Sequence, residues 1–193
     1  MLNFAPDLVD SRSLQNNQHA IERHVDFDHY VRSFTPGMFL SADAGATFVT
    51  VIAATMRWPA IEYADAATSR AHVSWRKPSE WRTGHLRIRF WYTSPVGDAN
   101  RFRVQLLVST IRDTEVLTGT LLADVSASYS GPAVANTVIR SPYVYTTTTL
   151  GSDDELFSLR VARVGGDAAD TNVNVLQVLF AEVEHIPALQ VSQ

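Results

Sequence analysis

His85-Leu-Arg-Ile-Arg-Phe-Trp-Tyr92 closes the stretch WRKPSEWRTGHLRIRFWY (residues 75–92) and alternates two kinds of side chain along its length. A β-strand turns successive side chains to opposite faces, so Leu86, Ile88, Phe90 and Tyr92 share one face and His85, Arg87, Arg89 and Trp91 the other. The pattern predicts a strand with one face on a core, and it sets the fold class as all-β.

Working outward, RFRVQLLVS (101–109) repeats the pattern, with Phe102, Val104, Leu106 and Val108 inward and Arg101, Arg103 and Gln105 outward. In LFSLRVARV (156–164) the apolar face is Phe157, Leu159 and Val161, and NVNVLQVLFAEVEH (172–185) predicts a long closing strand. FVTVIAATM (48–56) is β-branched and nearly all apolar, as expected of a strand covered on both faces. TEVLTGTLL, ADVSASY, ANTVI and YVYTTTTL are shorter candidates, and Pro95, Gly97-Asp98, Gly131-Pro132, Ser141-Pro142, Gly151 and Gly165-Gly166-Asp167 supply turns between runs. Their irregular spacing fits a two-sheet β-sandwich of jelly-roll type.

Residues 1–37 read differently: SLQNNQHAIERHVDFDHY is polar, shows no two-residue alternation, and ends at Pro36-Gly37. The expected organisation is an extended N-terminal arm over 1–37 and one sandwich domain over 38–193. A chain of 193 residues, 46% apolar and 19% charged, can bury a core as a single domain. It has no cysteine, which closes disulfide, thiolate-metal and cysteine-nucleophile chemistry together. The start lacks a basic region followed by an apolar run, and no stretch of about 18 apolar residues occurs, so the expectation is cytoplasmic synthesis and no membrane partner.

Net charge is −4, unevenly spread: residues 57–112 carry ten of the sixteen basic side chains and four of the twenty acidic ones. All the basic residues are Arg except Lys77. Arg forms bidentate forks with carboxylates and suits interfaces. Arg87, Arg89 and Trp91 on one strand face, with Arg101 and Arg103, therefore predict an oligomer interface, with Glu182 and Glu184 as charge partners from a neighbouring strand or another subunit. The other reading of the aromatics is a sugar platform, with Trp58, Trp75 and Trp81 stacking on rings.

Other chemistries find weaker footing. His19, His24, Asp26, Asp28 and His29 cluster in the arm without a metal-motif spacing, and Asp167, Asp170, Asn172 and Asn174 offer oxygens to calcium without an EF-hand spacing. The expectation is no cofactor and no metal. No G-x-S-x-G elbow or glycine-rich phosphate loop is present; Glu182 and Glu184 share a strand face but read more simply as partners of arginine, so no catalytic residue is assigned. A pI near 5.8 speaks against nucleic acid.

The run Trp75, Pro78, Trp81, Gly84, Leu86, followed by FWY and later by LFSLRVARVGGDAADT, resembles small jelly-roll virion structural proteins of tailed bacteriophages over roughly residues 45–185. The resemblance implies a non-enzymatic homotrimer of the capsid decoration, cement, head-fibre or fibre-tip type, located on the virion. The expected partner is the major capsid protein, gripped by Phe4, Leu8, His24, Phe27, Tyr30 and Phe34 of the arm. The alternative expectation is a carbohydrate-binding or receptor-binding module of a tail or head fibre, whose partner is a surface glycan.

Overall fold

The computed structural model describes residues 31–41, 45–53, 56–65, 68–116 and 119–188. Within them the strands are β1 (Val31–Phe34), β2 (Leu40–Ser41), β3 (Ala46–Ala53), β4 (Met56–Tyr63), β5 (Thr68–Arg76), β6 (Gly84–Thr93), β7 (Arg101–Arg112), β8 (Thr120–Ser130), β9 (Ile139–Arg140), β10 (Val144–Tyr145), β11 (Asp154–Val164) and β12 (Leu176–Pro187). A single 3-10 turn, Pro36–Met38, is the only helical element among the described residues. All pairings are antiparallel. One sheet runs β10-β6-β12-β4-β3, with β1 added to β12 and β9 to β6; the other runs β2-β5-β11-β7-β8.

The alternations decide which face is buried. Leu86, Ile88, Phe90 and Tyr92 of β6 and Phe102, Val104, Leu106 and Val108 of β7 all lie in the core between the sheets. On β12 the inward set is Leu176, Val178, Ala181, Val183 and His185, because the register shifts between Val178 and Phe180. A β-bulge there leaves Leu179 as the extra residue and bends the strand. Gly84 starts β6 opposite Pro187, where an added Cβ would fall 2.2 Å from the Ile186 carbonyl oxygen.

Three expectations change. β1 pairs with β12, Val31 opposite Glu184 and Phe34 opposite Ala181, so the last part of the expected arm belongs to the sandwich. Phe34 is fully buried, its ring 4.7 Å from Trp75, so it cannot grip an outside partner. Phe4, Leu8, His24, Phe27 and Tyr30 lie outside the described residues. The apolar run at 48–56 is not covered on both faces: β3 ends its sheet, and Phe48 and Ile52 are 52% and 62% exposed. Finally, β4 and β5 were not predicted; Pro59 demotes β4 as a strand because it cannot donate to a ladder.

Candidate functional site

Trp75 and Trp81 are core residues. Trp75 stacks on Phe157 at 5.4 Å, and Trp81 meets Phe157 edge-on at 5.9 Å and lies flat on His185 at 5.5 Å. Both indoles are buried, so neither is free to stack on a sugar. Burying aromatic rings of this size anchors the end of the sandwich that holds the Pro78 turn.

The arginines of β6 meet their partners inside the chain. Cross-strand register sets Arg87 opposite Glu184 and Arg89 opposite Glu182. Arg87 donates to Glu184 from Nε at 2.8 Å and from Nη2 at 2.6 Å, and Arg89 Nε donates to Glu182 at 2.6 Å. The Glu184 hydrogen bond holds the Arg87 guanidinium above its ordinary pKa against the opposing effect of burial. Tyr143 lies across both, its ring 4.1 Å from the Arg87 and 4.5 Å from the Arg89 guanidinium, and its hydroxyl donates to Glu184 at 3.2 Å. Arg101 and Arg103 sit on β7, in the other sheet, and Arg103 pairs with Asp167 at 3.5 Å. The seven residues predicted as one interface are thus split between two sheets, and the two glutamates are occupied as charge partners.

Beside this ladder the outer face turns apolar. The Arg89 guanidinium lies 4.8 Å over the Trp91 ring, and Trp91 meets Phe180 at 4.8 Å. From there a groove of 570 Å³ opens between β6, β12 and β4. Met56, Trp58 and Pro59 line it from β4, Trp91 from β6, and Leu179 and Phe180 from β12, which lies between those strands, and Pro36 and Val138 also line it. The bulge puts Leu179 into this surface beside Phe180. Trp58 is 55% exposed at the mouth, the one tryptophan of the four predicted or interface positions that stands mostly free of the core. Arg140, exposed and opposite Trp91 across the β6–β9 pair, supplies a cation at the rim. Of the groove, the sequence reading named Trp58 and Trp91 and missed Met56, Val138, Leu179 and Phe180. The signal for the last two was present: three apolar residues in succession, Val178 to Phe180, break the two-residue period.

A second concavity, 800 Å³, lies where Arg76, Lys77, Arg112 and Asp154 converge. Two of its charges are paired with each other: Arg112 Nε donates to Asp154 at 3.0 Å, and Asp154 also accepts from the Gly151 N–H at 2.6 Å. This network ties two turns together.

The Asp/Asn-rich loop weighed for calcium encloses a cation from the chain itself. Arg163, fully buried, donates from Nη2 to Asp65 at 2.8 Å and to Asp170 at 2.9 Å, and from Nε to Asp170 at 2.9 Å. The backbone carbonyls of Asn172 and Asn174 accept from the same guanidinium, which also lies 4.9 Å over the Phe102 ring. Asp167 instead caps the Ala169 N–H, and the Asn172 amide ties to the Asp98 and Asn100 carbonyls. Of the loop's oxygens, the Asp170 carboxylate and the Asn172 and Asn174 carbonyls serve Arg163, and the Asp167 carboxylate serves Ala169 and Arg103. Among the described residues no group of three or more His, Asp or Glu is arranged to hold a metal.

No protein-family model matches the chain, and no curated protein sequence matches it. Among solved structures it is similar to a family 35 carbohydrate binding module from Clostridium thermocellum, with a TM-score of 0.55 and 13% identity over 81% of this chain and 98% of that one. It is also similar to the CBM35 from Cellvibrio japonicus Abf62, with a TM-score of 0.52 and 8% identity over 79% and 91% of the two chains. A third is the Podospora anserina GH26-CBM35 β-(1,4)-mannanase, at 0.51 and 7%, where the match spans 84% of this chain and 29% of that one. At such identities the likeness is one of fold, and it makes the chain a β-sandwich jelly-roll domain.

Proposed function

We propose that this domain is a carbohydrate-binding module whose glycan lies in the Trp58–Trp91 groove. The observation that carries the reading is Trp58: a large indole, 55% exposed, at the mouth of an apolar groove already walled by a second tryptophan. Apolar C–H faces of a pyranose ring suit an indole face, and a site of this kind needs only a few polar groups to fix orientation. Arg140 stands at the rim and the part-exposed Arg89–Glu182 pair lies next to Trp91, within the same surface. The fold, shared with modules whose names state carbohydrate binding, supports the reading by analogy. The alternative, a virion subunit docking on a capsid, draws its docking residues from positions 4 to 34, of which Phe34 is buried in the core and the others lie outside the described residues.

A glycan array followed by calorimetry on the best polysaccharide tests this. Saturable binding is expected, falling at least about tenfold, a loss of about 1.4 kcal/mol, in Trp58→Ala. An array without saturable binding, or a Trp58→Ala variant with unchanged affinity, sinks the proposal.

A further inference from the structure

The groove assigned to the glycan is rich in donors and poor in acceptors. Of its lining side chains, Met56, Pro59, Val138, Leu179 and Phe180 carry no N–H or O–H. The Trp58 and Trp91 indoles each offer a donor and no acceptor, and Thr35 contributes the one hydroxyl. That hydroxyl caps no backbone group, and neither indole N–H has a partner among the described residues. Arg140 adds a second kind of donor without an acceptor. It stands opposite Trp91 in the β6–β9 register, so its side chain leaves the sheet on the groove's face, and it forms no ion pair among the described residues. The carboxylates of that face lie outside the lining and are engaged: Glu182 accepts from Arg89, and Glu184 from Arg87 and Tyr143.

A sugar hydroxyl that enters such a groove loses water and needs an acceptor for its proton; a buried hydroxyl without one is penalised. An O-acetyl ester makes the opposite demand. Its methyl group gains from apolar cover, its carbonyl oxygen only accepts, and it has no proton to place. Leu179, Val138 and Phe180 provide the cover, and the indole N–H groups and the Arg140 guanidinium provide the donors. A volume of 570 Å³ falls within the range of about 300–1,000 Å³ usual for small-ligand sites, so the groove has room for a substituent beside a stacked ring. We propose that this groove recognises its glycan through O-acetyl groups, which enter between Trp58 and Trp91 while the sugar ring stacks on Trp58. The inference rests on the carbohydrate-binding reading and narrows its ligand to acetylated glycans. A bare chain can stack on Trp58 with its hydroxyls in water, which makes it the weaker ligand.

Water-soluble β-glucan, mannan and xylan, each bare and after partial chemical acetylation, supply matched pairs for calorimetry. At least one acetylated backbone should bind about tenfold tighter than its bare form. Mild alkali, which cleaves the esters, should return it to the bare value. The gain should vanish in Trp58→Ala. It should shrink in Leu179→Asn, whose amide brings an acceptor into the lining and favours free hydroxyls. Circular dichroism checks that both variants keep the β fold. Equal affinity for the two forms of every backbone, or tighter binding of the bare forms, overturns the inference and leaves the carbohydrate-binding reading standing. Saturable binding of neither form overturns both. An acetyl gain that survives in Trp58→Ala, or grows in Leu179→Asn, overturns the inference as well, because the esters are then held elsewhere on the surface.

Discussion

Arg163 shows how one side chain replaces the chemistry that its surroundings advertise. Its guanidinium and the Asp170 carboxylate are both buried without exposure, and Asp65 and two backbone carbonyls complete the set of acceptors. Removing one partner of a buried pair strands the other in a low dielectric, at a cost of about 3–5 kcal/mol. Arg163→Met keeps the apolar stem and should lose that much in urea unfolding, with part of it recovered in the double variant that adds Asp170→Asn. Wild-type protein should melt at the same temperature in calcium and in EDTA; stabilisation by calcium would show that the oxygens are not committed to Arg163. His185 gives a second test. Burial against Trp81 lowers its pKa below 6.5, more strongly than the hydrogen bond to the Arg82 carbonyl raises it. The unfolded chain therefore takes up the proton first as pH falls, so stability is full above the unfolded value and declines as pH drops through it. The melting temperature should fall between about pH 7.5 and 5.5 by linkage, and His185→Phe should flatten that slope.

The strands differ in how openly the sequence declares them. β6 and β7 alternate cleanly because one face meets the core and the other does not, and both were legible. β1 is four residues long and its first three are not fully buried, too little pattern to read against a polar arm. β4 was hidden by Pro59, tolerated here because β4 lies against the single edge strand β3 on one side and pairs with β12 only through Ile61 to Tyr63 on the other. For Trp75 and Trp81, flanking the Pro78 turn, the sequence left core packing over the sandwich end and a sugar platform both open, since their burial depends on Phe34, Phe157 and His185 arriving from three other strands. The bulge in β12 is the element on which the groove depends. Deleting Leu179 should restore an ordinary ladder and remove one apolar side chain from between the groove walls. Circular dichroism is then expected to keep its β signature while glycan affinity drops; retained affinity would mean that Leu179 is no part of the binding surface.

Across the whole molecule, the excess of positive charge in residues 57–112 is answered by acidic residues further along the chain: Glu182 and Glu184 for Arg89 and Arg87, Asp154 for Arg112, Asp167 for Arg103. A sequence shows that such charges need partners but not whether the partner belongs to the same molecule, which is why these residues read as a seam between subunits. Four of the exposed large apolar side chains, Phe48, Ile52, Met56 and Trp58, lie on β3 and β4, and they divide by face. Phe48 and Ile52 share one face of the β3 edge, while Trp58 belongs to the groove. Phe48→Glu should therefore leave affinity for a short oligosaccharide unchanged while Trp58→Ala loses it, both read by calorimetry. Equal losses in the two variants would mean that the face of β3 and the groove act as one surface.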